Sequence, residues 1–189
     1  MKLVYAMLGL LLLTSAAFAQ DPGQLPIGNR DNGQSVVRWK RIVGVISAID
    51  TNAEQSKTQI NNPVGKIASG TFPWEARSGQ ARVNLSTGAA SFDVEGLVIN
   101  GTIFSGTPGP VSAVTGCLVC NAGDRDEAAF DTAPVPLSAQ GDASFSGQIQ
   151  GIPGTCANPL FLIRIANPVQ AAGLWIATGV ERSSNNNGQ

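Results

Sequence analysis

The sequence predicts an all-β protein, an antiparallel two-sheet sandwich of roughly eight to ten strands. Three observations predict it. Short runs of alternating apolar and polar residues recur along the chain, each with one dry and one wet face. The 22 glycines and 11 prolines fall mostly between those runs. Beyond residue 19 no stretch of about ten residues repeats apolar side chains at i, i+3 and i+4, the spacing a helix needs.

The first residues read as an export signal. Lys2 gives a positive start, Leu3–Leu13 is apolar apart from Gly9, and Ala17-Phe18-Ala19 offers a small-x-small cleavage site. Cleavage is expected after Ala19, which would make the protein secreted or periplasmic. No later segment has the roughly 20 apolar residues of a membrane span. Residues 20–34, rich in Pro, Gly, Asn and Asp, are expected to be a disordered leader. Residues 35–182 then form one domain, well below the roughly 250–300 residues at which chains divide, and 183–189 a polar tail.

Strand signal begins at Ser35 and runs to about Ile49, with Val37, Trp39, Arg41, Val43 and Val45 on one face. Asp50–Ser56 reads as a polar loop and Asn62-Pro63 as a turn, because proline pushes the residue before it out of the α region. Phe72, Pro73 and Trp74 suggest a short edge or bulged strand. Next comes the cleanest hairpin. Ala81, Val83 and Leu85 face one way; after the Thr87-Gly88 turn, Ala90, Phe92 and Val94 do the same. Leu97–Ile99, Asn100-Gly101 and Thr102–Phe104 give a second hairpin pattern, since Asn-Gly favours the two φ > 0 positions of a type I′ turn.

Val111–Cys120 reads as a strand, Asn121–Asp131 as an acidic loop, and Pro134 and Pro136 as brackets of a stiff connector. Ala143, Phe145, Gly147 and Ile149 alternate with polar residues in another half-wet strand. Leu160–Ala166 is apolar on both faces except at Arg164, the pattern of a central strand. Asn167-Pro168 turns the chain into a last strand, Gly173–Val180.

Composition excludes several chemistries. The chain has no histidine, which removes Ser-His-Asp and Cys-His nucleophile systems, imidazole bases and the commonest transition-metal ligand. Removing Lys2 with the signal leaves eleven Lys/Arg against thirteen Asp/Glu, a net charge of −2. That balance is no general footprint for nucleic acid.

In an exported chain disulfides persist. Cys117 and Cys120 are three apart on a strand and point to opposite faces, so they neither bridge nor share a metal. The expected disulfide is Cys120–Cys156, with Cys117 a small buried hydrophobe. The acidic loop offers hard oxygens at Asn121, Asp124, Asp126, Glu127 and Asp131. These are candidate Ca²⁺ ligands, set beside the plainer reading of a solvated loop, because their spacing fits no EF-hand. Asp93 and Glu95 share a wet face with Cα atoms roughly 6.5–7 Å apart. Glycosidase carboxylates stand at comparable separations, although soluble sheet faces look the same. Arg38-Trp39-Lys40-Arg41 is the one basic-aromatic cluster, suited to polyanionic wall polymers or to the defence of an edge strand. Trp74 and Trp175 are the candidate face for stacking on a sugar, with core packing as the alternative.

The run GQARVNLSTGAASFDVEGL at 79–97 resembles the opening of a chordin-type (CHRD) repeat, and PLSAQGDASFSGQI at 136–149 is similar to a later strand of it. The histidines of the repeat's central segment are absent near Thr115–Cys120. More broadly, TPGPV, LVC, PLSAQGDASFSG and ANPLFLIRIA resemble a family of β-rich secreted bacterial proteins. The resemblance implies an Ig-like or CHRD-like sandwich of secreted or cell-surface type and brings no activity, cofactor or metal with it. The sequence therefore points to a non-catalytic exported structural, adhesion-type or interaction module. Cell-surface polysaccharide or another protein chain is the expected partner. A carbohydrate-binding module and a carboxylate-based hydrolase are the alternatives.

Overall fold

The computed structural model describes residues 36–46, 48–50, 58–60, 62–166 and 173–184, all within the unit Asp31–Gln189. The expected signal peptide, the leader, the Asn167-Pro168 turn and most of the Asp50–Ser56 loop lie outside the described residues.

Thirteen strands follow one another: β1 (Val36–Gly44), β2 (Ala48–Asp50), β3 (Thr58–Ile60), β4 (Trp74–Glu75), β5 (Ser78–Asn84), β6 (Ala89–Glu95), β7 (Val98–Ile99), β8 (Ala113–Cys120), β9 (Ala128–Asp131), β10 (Val135–Pro136), β11 (Ala143–Gln148), β12 (Leu160–Ile165) and β13 (Trp175–Ser184). Among the described residues there is no helix, hence none long and apolar enough to cross a membrane.

Nine strands form one antiparallel sheet in the order β10-β8-β12-β13-β1-β5-β6-β11, with β9 also pairing on β8; β2-β3 and β4-β7 are separate pairs. The expected division into two hydrogen-bonded sheets is thus not what the pairing draws. One sheet curls so that its limbs face each other. Gly116 of β8 and Phe92 of β6 are far apart in strand order, yet a Cβ on Gly116 would stand 2.9 Å from the Phe92 ring and 2.8 Å from Phe161. Absence of a side chain there lets both rings meet the backbone. Trp39 packs on Phe161 at 5.5 Å between ring centres, and Phe92 on Phe161 at 5.8 Å. This aromatic cluster is the centre of the core.

The β5–β6 hairpin forms as its alternation predicts, pairing Ala81 with Phe92 and Val83 with Ala90. β12 is central, hydrogen-bonded to β8 and β13. Other expectations need correction. Arg41 and Val43 do not continue the buried row of Val37 and Trp39; Ile42 does, and Arg41 is exposed. The alternation changes phase at Lys40, opposite Glu181, whose φ of 54° breaks the extended geometry of β13. Asn100-Gly101 does not close a hairpin. Val98–Ile99 pairs instead with Trp74–Glu75, the Asn100 backbone N–H donates to the Pro73 carbonyl and its side-chain amide to the Glu75 carboxylate, and Ile103 is 95 % exposed. Asp131 ends a strand rather than a loop, because Ala128–Asp131 pairs on Cys117–Cys120. Ser183 and Ser184, expected in the tail, pair with Arg38 and Val37 in β13.

Candidate functional site

The Cys120–Cys156 disulfide ties the loop before β12 to the end of β8, as the cysteine positions predict. Two bonds hold the same junction: the Asn121 backbone N–H donates to the Ala157 carbonyl, and the Ala157 N–H donates to the Asn121 side-chain oxygen. Cys117 is free and fully buried. On its face of the sheet the register places Asp131 directly opposite. Arg164 spans the group: its Nη1 donates to both Asp131 oxygens at 2.9 Å and to Cys117 Sγ at 3.7 Å, and its Nε donates to the Gly173 carbonyl at 2.8 Å. This is where the lone charge of β12 goes. Its partner was hidden from sequence reading because β9 was not expected to be a strand; a single arginine in an otherwise apolar run was the available signal.

Burial, followed by the negative charge of Asp131, pushes the Cys117 thiol from 9.0 up to about 12. Such a thiol is a poor nucleophile and serves packing. An unfolded thiol ionises near 9 and the folded one near 12, so the folded state holds an extra proton between them. Stability from this group is full below pH 9 and is lost as pH rises toward about 12. We expect a thiol reagent at pH 8 to leave the native protein unlabelled and to label one thiol after denaturation. Cys117→Val should flatten the alkaline loss of stability in a pH series of denaturant midpoints; rapid native labelling would contradict this.

The acidic loop does not converge on a point. Glu127 accepts from the backbone N–H groups of Gly123 and Lys66 at 2.8 Å each, and these bonds hold its carboxyl below the ordinary value. Asp126 accepts from the Asn121 amide at 2.9 Å, Asp131 is committed to Arg164, and Asp124 is exposed. Among the described residues no group of three or more His, Cys, Asp or Glu is placed to hold a metal ion.

Trp74 and Trp175 do not make a sugar-stacking face. They are 4 % and 6 % exposed, and the Trp175 indole N–H donates to the Asn62 carbonyl at 2.8 Å. Both belong to the core, where a large aromatic with a satisfied N–H packs best. Asp93 and Glu95 border one open depression together with Asp142, but their surroundings differ. Glu95 faces Arg77 at 3.3 Å and accepts from Ser78 Oγ at 3.1 Å, whereas Asp93 borders a depression shared with cations.

That depression lies on the outer face of the limb made by β1, β5, β6 and β11. Register aligns Arg38, Arg82, Ser91 and Ser146 in one row across the four strands, and Gln80, Asp93 and Ser144 in the next. Alternation turns these side chains outward while Trp39, Ala81 and Phe92 point into the core. Arg38, Lys40 and Arg82 are exposed at its rim. β11 closes the limb as an edge strand of small or neutral residues, paired on β6 alone. The basic row is half legible in the sequence: Arg38 and Lys40 stand together in the basic-aromatic cluster, but Arg82, forty-odd residues away, joins them only through the β1–β5 register.

No family model, curated protein or solved structure matches the chain.

Proposed function

We propose that the chain is an exported, non-catalytic interaction or adhesion-type module that works through the outer face of β1, β5, β6 and β11. One observation carries the reading. That face is a continuous four-stranded polar surface, whereas Asp126 and Glu127 of the acidic loop, and Asp131 and Arg164 beside Cys117, are engaged in bonds within the fold. The facing limbs pack as the layers of a sandwich would, and the CHRD-like runs at 79–97 and 136–149 cover three strands of the curled sheet, β5, β6 and β11. The signal-like residues 1–19 and the disulfide accord with a periplasmic or extracellular site of action. The burial of Trp74 and Trp175 disfavours a stacking carbohydrate module, and the engagement of Glu95 with Arg77 disfavours a hydrolase built on Asp93 and Glu95.

The test is retention on intact producing cells. Labelled protein should bind saturably, and Ser91→Trp with Ser146→Trp, which adds bulk to the face without entering the core, should abolish retention at unchanged melting temperature. A protein that does not bind, or whose binding ignores that bulk, would remove the reading.

A further inference from the structure

We propose that β11 is a docking edge for a second copy of this chain, which extends the sheet across a two-fold axis at Gly147. The backbone sets the geometry. The Ile149 N–H donates to the Gly88 carbonyl at 2.8 Å, and the β6–β11 register continues from that pair. Bonded positions alternate in an antiparallel ladder, so Gly147, Phe145 and Ala143 turn their N–H and C=O groups toward β6. Ser144, Ser146 and Gln148 turn theirs away from it, on a side where no strand is bonded to β11. Pro136 of β10 stands beside the start of β11, in a depression bordered also by Asp142, Ala143 and Ser144. The pairing is therefore placed beyond it, on Ser146–Gln148.

Edges of this kind are normally defended. Lysine, proline, a bulge or a very short strand keeps other chains from pairing. The opposite end of the sheet has such defences: β10 is two residues long and ends in Pro136, and β9 is four residues long, with Asp131 held by Arg164. β11 is six residues, ASFSGQ, without a charge or a proline, and its register with β6 is unbroken. The sequence carries no charge from Ala143 to Ile163. With one open edge and one blunted edge, pairing closes at two copies instead of propagating into a fibre.

The edge fits its own copy. Antiparallel pairing about Gly147 sets Ser146 opposite Gln148 of the other copy, and Gln148 opposite its Ser146. These are the outward-bonding positions, so each pair exchanges both backbone bonds. Gly147 meets Gly147 at the axis, in a closely spaced pair of about 4.5 Å between Cα atoms, where neither carries a side chain to clash. Phe145, half-buried and stacked on Phe92 at 6.0 Å, falls opposite Ile149 of the other copy on the inner face, an aromatic against a β-branched residue. Ser146 and Gln148 are exposed and flanked on β6 by Ser91 and Ala89, so the residues that meet across the axis are uncharged. The outer faces of both copies then continue in one plane, which sets two polar surfaces side by side.

Sedimentation velocity of the protein from about 1 µM to about 1 mM tests this edge. A monomer–dimer equilibrium with no larger species is expected. The amide hydrogens of Ser146 and Gln148, read by NMR, should exchange more slowly as concentration rises, a measurement that needs no variant. Ser146→Lys with Gln148→Lys puts like charges opposite one another in both pairs. It should raise the dimer Kd on the order of tenfold at unchanged melting temperature, since both side chains are exposed. Ser146→Glu with Gln148→Glu should do the same. An equimolar mixture of the two double variants should recover the parent's Kd, because each pair then joins a lysine to a glutamate. The inference is overturned by a parent that stays monomeric at about 1 mM, by species that grow beyond dimers, or by a dimer in which those amides exchange as in the monomer. Double variants that dimerise like the parent, or a mixture that does not recover, would overturn it equally. Retention on cells reads the outer face and dimerisation reads the edge, so either can fail alone.

Discussion

Replacing Trp39 with alanine should lower stability by about 3–5 kcal/mol, the range for losing a buried tryptophan. Trp39 is 1 % exposed and joins the two limbs. From β1 it reaches the Phe161 ring of β12, and a Cβ on Gly179 of β13 would stand 2.6 Å from its Cγ. Backbone and ring therefore meet there with no space to collapse into, so the cavity left by truncation stays open. A chain of this size should melt on the order of 10 °C lower. Trp39→Phe, which retains a ring against Phe161, should recover more than half of the loss. Thermal unfolding followed by circular dichroism reads both variants; a Trp39→Ala protein that melts within about 2 °C of the parent would mean that the limbs are held together elsewhere.

Cutting the Cys120–Cys156 bridge should have an effect of similar size. The bond closes a loop with a sequence separation of 36, for which loss of the cross-link costs about 3–4 kcal/mol through the greater freedom of the unfolded chain. Cys156→Ser is the informative variant because Cys156 is only partly buried, whereas a serine at Cys120 would also place a hydroxyl in the core. Denaturant titrations should show the parent falling to the variant's midpoint under reducing conditions, with the variant insensitive to reductant. A parent that keeps its midpoint when reduced would show that the Asn121–Ala157 bonds alone secure the loop.

How much was readable from the sequence follows from the range of the interactions involved. The β5–β6 hairpin is local: its alternation and its four-residue connection through Gly88, at φ 75°, contain all that fixes its register. β12 announces itself by being apolar on both faces. The disulfide followed from strand parity, since Cys117 and Cys120 cannot share a face. Features set by distant partners were misread. The Asn100-Gly101 pair satisfies hairpin chemistry, but Val98 and Ile99 are captured by Trp74 and Glu75 instead, so the local signal lost to a longer-range pairing. The change of phase in β1 depends on the left-handed residue Glu181 in β13, well over a hundred positions away. Trp74 and Trp175 were open to two readings because a tryptophan's sequence neighbours do not say whether another segment covers it; here Asn62 and Gly70 do. The basic row on the outer face was legible in its β1 half and became a site only when the β1–β5 register set Arg82 beside Arg38.

Hydrogen exchange of the protein, free and bound to the surface polymer of the producing cell, tests most directly whether the outer face is the working surface. Protection confined to peptides from residues 36–42, 78–95 and 143–148 is the predicted result. Protection in the acidic loop at 121–131, or none in the four strands of the face, would contradict it.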